Sequence, residues 1–156
     1  MSKILLIGGN GYIGSRLQQS LDVDVVDTNW FNDEGSGEDF KDLTSKHYDD
    51  YDTVILLAGH SSVKMSEGNL NSCFNNNVRN FIDLIEKLDG QRLIYASSSS
   101  VYGSVGGKTV NEKYYGFEPY NQYDISKHTA DLYAQKSDVE YYGLRFGTVN
   151  GCSPVL

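Results

Sequence analysis

The chain has 156 residues, of which 39% are hydrophobic and 22% are charged, and its formal net charge at pH 7 is −8. This size and balance are typical of a single globular domain, and the negative charge disfavours nucleic acid and anionic membrane surfaces as partners. No apolar run is long enough to span a bilayer and none has the form of a signal peptide, so we expect a cytoplasmic protein. The two cysteines, Cys73 and Cys152, lack the spacing of a metal site. We expect free thiols, with one disulfide as the alternative.

The N-terminal stretch combines an apolar run with a glycine-rich turn. Residues 4–7 are apolar without alternation, which predicts a strand buried on both faces of a parallel sheet. Gly8, Gly11 and Gly14 follow with the spacing G-x-x-G-x-x-G. This spacing suits a tight turn, close approach of the backbone to a pyrophosphate, and close packing of the next helix. That helix is predicted from apolar residues at helical spacing, namely Ile13, Leu17 and Leu21. We therefore expect a dinucleotide-binding turn that leads into a helix.

An acidic residue ends the second predicted strand, residues 23–27. Asp27 lies about 20 residues after Gly8, where a carboxylate accepts hydrogen bonds from the ribose diol of an adenosine and repels a 2′-phosphate. The position therefore favours NAD over NADP. An ordinary turn residue at the strand end is the alternative interpretation.

The segment that follows the polar loop 28–39 has two interpretations. Residues 40–43 predict a short third strand, and Asp42 at its end could meet the adenine amino group. Equally, Asp42 could be the N-cap of a helix over residues 44–49, because a carboxylate at that position accepts a hydrogen bond from a free helix amide.

Two further apolar runs predict buried strands. Residues 53–59 form the first run, and it is followed by His60. Its small end residues Ala58 and Gly59 permit close approach of the backbone to a cofactor. His60 could be a general base, although a histidine that only donates or accepts hydrogen bonds is the simpler interpretation. Residues 92–97 predict the next strand, which leads into the serine-rich segment 97–103 at the sheet edge where ligands bind.

Helical patterns separate the strands. Residues 70–88 have a wide apolar stripe, formed by Phe74, Val78, Phe81, Ile82, Ile85 and Leu88. Asparagines 75–77 interrupt this stretch, and we expect one of them to satisfy backbone groups of a neighbouring strand or a buried water. A second helix is predicted over 121–136 and a last strand over 140–147. The alternation predicts an α/β fold, a doubly wound parallel sheet (Rossmann fold) with helices on both faces.

The second helix carries a tyrosine and a lysine that are suited to proton transfer. Tyr123 and Lys127 are four residues apart, so they share one helix face. An ammonium group beside the phenol, together with the positive charge of an oxidised nicotinamide, favours the phenolate and lowers the pKa of the tyrosine. The pair could then take a proton from a sugar hydroxyl while hydride passes to the cofactor. Lys127 could also bind the nicotinamide ribose, and a nearby serine could polarise the reacting oxygen.

These segments together resemble the extended short-chain dehydrogenase/reductases and, within them, the nucleotide-sugar epimerase/dehydratase group. The matching segments cover nearly the whole chain: 8–14 (GGNGYIG), Asp27, 42–43 (DL), 57–59 (LAG), 76–78 (NNV), 97–103 (SSSSVYG), 123–127 (YDISK) and 144–147 (LRFG). The resemblance implies that Tyr123 is the catalytic base and Lys127 its partner. It implies Ser98 as the catalytic hydroxyl, with Ser99 as the alternative if the register differs by one. It places the family's helix asparagine at Asn77.

The cofactor implied by the turn and by the resemblance is NAD, and no metal is expected. The expected cofactor-binding residues are Gly8, Asn10, Gly11, Tyr12, Ile13, Gly14, Asp27, Asp42, Leu43, Leu57, Ala58, Gly59, His60, Asn77, Ser97, Tyr123 and Lys127.

The resemblance implies NAD-dependent oxidoreductase or isomerase chemistry on a nucleotide sugar. The lack of an Asp-Glu pair in residues 98–100 favours epimerisation over dehydration. Family members also have a C-terminal lobe that grips the nucleoside diphosphate, so we expect residues 1–156 to be one NAD-binding domain without that lobe. The alternative is a truncated NAD-binding module or subunit with little or no turnover. Self-association or a partner chain would then cover apolar surface near the C-terminal side. The helical stripes could form a dimer's helical bundle, or they could simply cover the sheet.

Overall fold

The computed structural model describes residues 2–28, 37–114 and 118–151 of the chain. Within these residues, five strands form one sheet in the order β2-β1-β3-β4-β5, and every neighbouring pair is parallel. The strands are β1 (Ile4–Ile7), β2 (Asp24–Val26), β3 (Thr53–Leu56), β4 (Arg92–Ser98) and β5 (Tyr141–Phe146). All five carboxyl ends therefore lie at one edge of the sheet, and the prediction of a doubly wound parallel sheet is confirmed.

The helices are α1 (Gly14–Leu17), α2 (Val63–Glu67), α3 (Leu70–Phe74), α4 (Asn80–Lys87) and α5 (Gln122–Lys136). One π-helical turn, Asn75–Arg79, joins α3 to α4, so the predicted helix over 70–88 is confirmed apart from this turn at the three asparagines. Helices α2 to α5 pack against one another on one face of the sheet. Right-handed crossovers place α1 on the other face, because the chain reverses its direction across the sheet after β2.

The main core lies between the sheet and the helices α4 and α5. It contains alternate residues of the strands together with the apolar face of α4, and its largest members include Leu5, Tyr48, Phe81, Leu84, Leu93 and Tyr95. Leu6 and Ile55 are also buried, but they lie outside this cluster because successive strand residues point to opposite faces. Burial on both faces explains why β1 and β3 are unbroken apolar runs.

The third strand predicted at 40–43 is wrong. The chain forms a 3₁₀ turn there, Phe40–Asp42, which begins at Asp39. Phe40 and Leu43 are both buried in the core, because residues three apart lie on the same side of a 3₁₀ turn. The alternative is also wrong, since Thr44 and not Asp42 precedes the next short 3₁₀ turn, Ser45–His47.

Some predicted apolar positions are not buried. Leu21 and Phe74 are exposed, so the first helix is shorter than its apolar pattern indicates and α3 is only partly covered. On β5, Tyr142 and Leu144 are exposed on the face opposite α5. Cys73 is buried with a free thiol, whereas Cys152 lies outside the described residues. No helix in the described parts of the chain is long and apolar enough to cross a membrane.

Candidate active site

The glycine turn connects β1 to α1, and its three glycines have different roles. Gly8 has φ +85°, and a Cβ there would lie 2.5 Å from the backbone nitrogen of Ala58. A Cβ at Gly14 would lie 2.4 Å from the Gly8 carbonyl oxygen. Gly11 differs, because its Cβ would meet only the Gly8 oxygen at 3.3 Å, a tight contact that a small shift relieves. Packing within the chain therefore requires Gly8 and Gly14, and it leaves close approach of a ligand as the reason for Gly11.

Three backbone amides of the turn are used within the chain. The Gly8 amide donates to the Val26 carbonyl oxygen at 2.9 Å. The Asn10 amide donates to Asp27 Oδ2 at 2.9 Å, which ties the turn to the residue that follows β2. The Gly11 amide donates to the Gly8 oxygen at 3.3 Å. The amides of Tyr12 and Ile13 have no hydrogen-bond acceptor among the residues that the structure describes. They are therefore the donors that the turn presents to an anion.

A cleft beside the turn lies between the ends of β1, β2 and β3. Its walls include Asp27, Glu38, Asp39, Phe40, Gly59 and His60. Three carboxylates at one end make this part of the cleft negative, so it disfavours a phosphate there. Asp42 and Leu43 do not line the cleft: Asp42 is exposed in the 3₁₀ turn and Leu43 is packed in the core. Sequence reasoning missed Glu38 and Asp39, because they precede the segment that was interpreted as a strand.

Asn77 in the π turn connects the loop after β3 to helix α5. Its Oδ1 accepts from the His60 amide at 2.9 Å, and its Nδ2 donates to the His60 oxygen at 3.1 Å and to Ser126 Oγ at 3.1 Å. Asn77 is buried, so it satisfies both backbone groups of a loop residue from inside the fold. We expected one of the three asparagines to satisfy backbone groups of a neighbouring strand or a buried water; Asn77 instead satisfies those of His60, in the loop after β3.

The loop held by Asn77 has little freedom. Gly59 has φ +133°, and a Cβ there would lie 2.7 Å from Asn77 Oδ1. The His60 ring lies with its Nδ1 3.2 Å from Asn76 Nδ2, so His60 is held by hydrogen bonds at the cleft wall. The His60 ring thus makes a hydrogen bond, as in the interpretation of His60 as a hydrogen-bonding residue; its role as a general base stays a prediction. Leu57 and Ala58 follow β3, and their amides donate to the Ile7 carbonyl oxygen at 2.8 and 3.2 Å.

Tyr123, Ser98 and Lys127 meet at the carboxyl end of β4. Their residues are 8%, 8% and 9% exposed, so the three polar side chains are largely enclosed. The Ser98 hydroxyl interacts with the Tyr123 side chain, and Lys127 Nζ lies 5.8 Å from the centre of the Tyr123 ring. The Lys127 ammonium donates to the Ala96 oxygen at 2.9 Å. The structure brings Ser98 to the tyrosine, whereas Ser99 is exposed.

Burial moves the two titratable groups toward their uncharged forms. It raises the pKa of Tyr123 above its usual value, while the interaction with Ser98 lowers it in part. Burial lowers the pKa of Lys127 to about 8, and Asp131 and Cys73 act against this shift. The sequence-based expectation that the lysine, together with an oxidised nicotinamide, lowers the pKa of Tyr123 is therefore not met by these residues alone. Desolvation has the largest effect on this pKa, and the group that lowers it is Ser98.

Two further serines lie beside the site: Ser126, which sequence reasoning missed, and Ser97, which was expected among the cofactor-binding residues. Ser126 is fully buried, receives the hydrogen bond from Asn77 and donates to the backbone carbonyl oxygen of Tyr123 at 2.7 Å. Ser97 is buried too, and its hydroxyl has no hydrogen-bond partner among the described residues. The position of Ser126, three residues after Tyr123, was the available signal, because residues three apart lie close together on a helix.

Comparisons with known proteins identify the family of the chain. The family model described as "NAD dependent epimerase/dehydratase family" matches residues 4–155. Among curated proteins, the UDP-glucose 4-epimerase of Lactobacillus helveticus is 29% identical over 97% of this chain and 53% of its own length. The chain thus spans about half the length of the curated relatives it matches.

Solved structures give the same result. MoeE5 in complex with UDP-glucuronic acid and NAD is 27% identical with a TM-score of 0.81, covering 96% of this chain and 56% of that one. UDP-glucuronic acid 4-epimerase from Bacillus cereus, in complex with UDP-glucuronic acid and NAD, is 26% identical with a TM-score of 0.75, covering 92% and 55%. With the family model matching nearly every residue, this chain belongs to the NAD-dependent epimerase/dehydratase family.

Proposed function

We propose that the chain binds NAD along the carboxyl edge of its sheet and that it supports epimerase-type chemistry on a nucleotide sugar. The observation that carries this proposal is a continuous set of contacts from the glycine turn to Tyr123. Gly8 packs against Ala58, and His60 in the same loop donates its amide to Asn77. Asn77 donates to the Ser126 hydroxyl, which in turn donates to the Tyr123 carbonyl oxygen. One ligand that lies along this edge can therefore touch both ends.

The adenosine end belongs in the cleft at Asp27. Asp27 follows β2 and lines the cleft with Glu38 and Asp39, so a ribose diol can be bound while a 2′-phosphate is repelled. This supports NAD over NADP. The contact of Asp42 with the adenine amino group and the cofactor-binding role of Leu43 stay predictions.

The diphosphate belongs at the glycine turn. The amides of Tyr12 and Ile13 have no acceptor in the described part of the chain, and Gly11 has no side chain to obstruct a phosphate. Since the chain as a whole is negative, this anion must be held by such local donors.

At the other end, Tyr123 is the group proposed to move a proton. Its phenolate would take the proton of a sugar hydroxyl as the carbon that bears it gives up a hydride. The resulting phenol would return that proton to the same oxygen when hydride is added back to the opposite face of the carbon. Ser98 donates a hydrogen bond to the reacting oxygen, and Lys127 holds the nicotinamide ribose. When bound, NAD supplies a hydride acceptor and a positive charge that adds to that of Lys127.

A second candidate concerns this chain taken by itself. Relatives are about twice as long, and binding energy from a nucleotide far from the reacting atoms also supports the chemical step. An NAD-binding module or subunit with little turnover of its own is therefore the alternative. A partner chain, or a second copy, on the exposed side of β5 belongs to this alternative, as Tyr142 and Leu144 are exposed there. A cytoplasmic location and a single-domain organisation stay predictions.

Calorimetric titration with NAD, followed by incubation with NAD and UDP-glucose, UDP-N-acetylglucosamine or UDP-glucuronic acid, tests both candidates. We expect saturable NAD binding and conversion of at least one nucleotide sugar. Tyr123→Phe should bind NAD within about threefold of the wild type, since it removes one hydroxyl, and should convert nothing. Tyr120→Phe is the matched control, because Tyr120 is exposed just before α5, and it should behave as the wild type.

Each result selects one outcome. Absence of NAD binding refutes the cofactor proposal. NAD binding without conversion of any nucleotide sugar favours the binding-module candidate over the enzyme. Conversion by Tyr123→Phe at the wild-type rate removes Tyr123 from the mechanism.

A further inference from the structure

Helix α5 is attached to strand β4 at two neighbouring points. Lys127 Nζ donates to the Ala96 oxygen at 2.9 Å, and the Tyr95 hydroxyl donates to Asp131 Oδ1 at 2.8 Å. Tyr95 and Ala96 are adjacent on β4, while Asp131 lies one helical turn after Lys127. Lys127 and Asp131 are therefore held on the same face of α5 by the same strand.

The second oxygen of Asp131 is bound from strand β5. Arg145 Nε donates to Asp131 Oδ2 at 3.1 Å, and the side chains of this ion pair are 23% and 10% exposed for Arg145 and Asp131. Arg145 also donates to the Glu112 oxygen at 3.1 Å and lies 4.9 Å above the Tyr102 ring. Asp131 thus connects α5 to both strands and to the loops beyond them.

A glycine in β5 leaves space for this arrangement. A Cβ at Gly143 would lie 2.6 Å from the Tyr95 hydroxyl oxygen. Glycine weakens a strand interior relative to alanine, so its presence opposite Tyr95 is explained by the buried hydroxyl. Burial raises the pKa of Tyr95 well above its usual value. Tyr95 therefore stays a donor, and Asp131 is its charged acceptor.

The charged and titratable groups that face Lys127 come from two helices. They are Tyr123 and Asp131 on α5 and Cys73 on α3, and β4 adds the Ala96 carbonyl. His128 and Arg145 lie near Asp131 in turn. Of these groups, Asp131 has the largest effect against the desolvation of the Lys127 ammonium. Its carboxylate is also the one whose position is fixed by two hydrogen bonds.

We propose that Asp131 is a positioning residue for Lys127: held by Tyr95 and Arg145, it fixes this turn of α5 against β4 and keeps the Lys127 ammonium charged. The role of Lys127 in cofactor binding rests on the proposed function, but the effect of Asp131 on the lysine charge does not.

The test is an NMR titration of the purified chain labelled with ¹³C at lysine Cε. Lys127→Arg identifies the Lys127 signal, which should titrate with a midpoint of about 8 in the wild type. Asp131→Asn should lower that midpoint by on the order of one pH unit, because it removes a nearby opposite charge. Asp83→Asn makes the same change of charge at an exposed position of α4 and should leave the midpoint where it is.

Further variants separate charge from folding. Asp131→Glu keeps the carboxylate and should restore a midpoint close to the wild type. Arg145→Gln removes the cation that partly neutralises Asp131, so the Lys127 midpoint should rise; this arm decides the matter if Asp131→Asn does not fold. An unchanged midpoint in a folded Asp131→Asn, or a midpoint that does not rise in Arg145→Gln, overturns the proposal. No NAD or sugar enters the titration, so a failed activity assay leaves this result standing.

Discussion

Replacing Asn77 by Ala removes the side chain that joins the loop after β3 to helix α5. Four hydrogen bonds are lost: two to the backbone of His60, one to Ser126 and a long one of 3.8 Å to Cys73 Sγ. A buried neutral hydrogen bond contributes about 1 kcal/mol, and an unpaired buried polar group costs about 1–3 kcal/mol. His60 is only partly buried, so water can pair with some of its freed backbone. We therefore expect the free energy of unfolding to fall by about 3 kcal/mol.

The matched control is Asn75→Ala in the same π turn. Asn75 is exposed, and alanine is the better helix former by a few tenths of a kcal/mol, so this variant should be unchanged or slightly more stable. Urea denaturation followed by circular dichroism measures both variants. If the two variants differ in free energy of unfolding by less than about 1 kcal/mol, the role given to Asn77 is contradicted.

Three other predictions concern charge, packing and cofactor choice. Because the pKa of Lys127 falls from 10.5 to about 8 on folding, the unfolded chain holds more protons between these values. Between pH 8 and 10.5 the free energy of unfolding of the wild type, relative to that of Lys127→Met, should therefore rise with pH by up to about 3 kcal/mol. Urea denaturation at several pH values measures this difference, and Lys136→Met, at an exposed position, is the control. Parallel pH curves for the wild type and Lys127→Met would refute the burial of the Lys127 ammonium. Gly14→Ala places a Cβ 2.4 Å from the Gly8 carbonyl oxygen and should lower the melting temperature strongly. Gly68→Ala is the control, because a Cβ at Gly68 has no atom within 4 Å, and it should not lower the melting temperature. Equal melting temperatures of the two variants would contradict the packing at Gly14. Asp27→Asn keeps an acceptor for the Asn10 amide but removes the charge that repels a 2′-phosphate. The ratio of NADP affinity to NAD affinity, measured by paired titrations, should therefore shift about tenfold toward NADP. An unchanged ratio would show that Asp27 does not determine cofactor choice.

Local spacing was enough to predict the parts of the fold that depend on neighbouring residues. The run before Gly8, the position of Asp27 and the helix that carries Tyr123 each follow from patterns within about 20 residues. The segment at Phe40 and Leu43 could not be assigned in this way. In a strand Phe40 and Leu43 would point to opposite faces, whereas in a 3₁₀ turn they lie on one side. That both are buried in the same core is known only from the packing.

The connections that build the site could not be predicted, because they join residues that are far apart in the sequence. Asn77 bonds His60 and Ser126, and Asp131 bonds Tyr95 and Arg145. Periodicity identifies which face of a helix is apolar, but it does not identify which polar side chain on that face finds a buried partner. Burial itself is the information that spacing lacks.

Burial also decides how the tyrosine and lysine can work together. On an exposed helix face, both groups would keep ordinary pKa values and neither would titrate near neutral pH. Here desolvation lowers the pKa of Lys127 to about 8 and raises that of Tyr123, so it favours the uncharged form of each. A phenolate at Tyr123 therefore needs positive charge in addition to what Lys127 provides, and an oxidised nicotinamide at the same sheet edge is a group that carries it. Proton transfer by Tyr123 is thereby linked to occupation of the cofactor site. As a consequence, the base is not formed unless its hydride acceptor is bound.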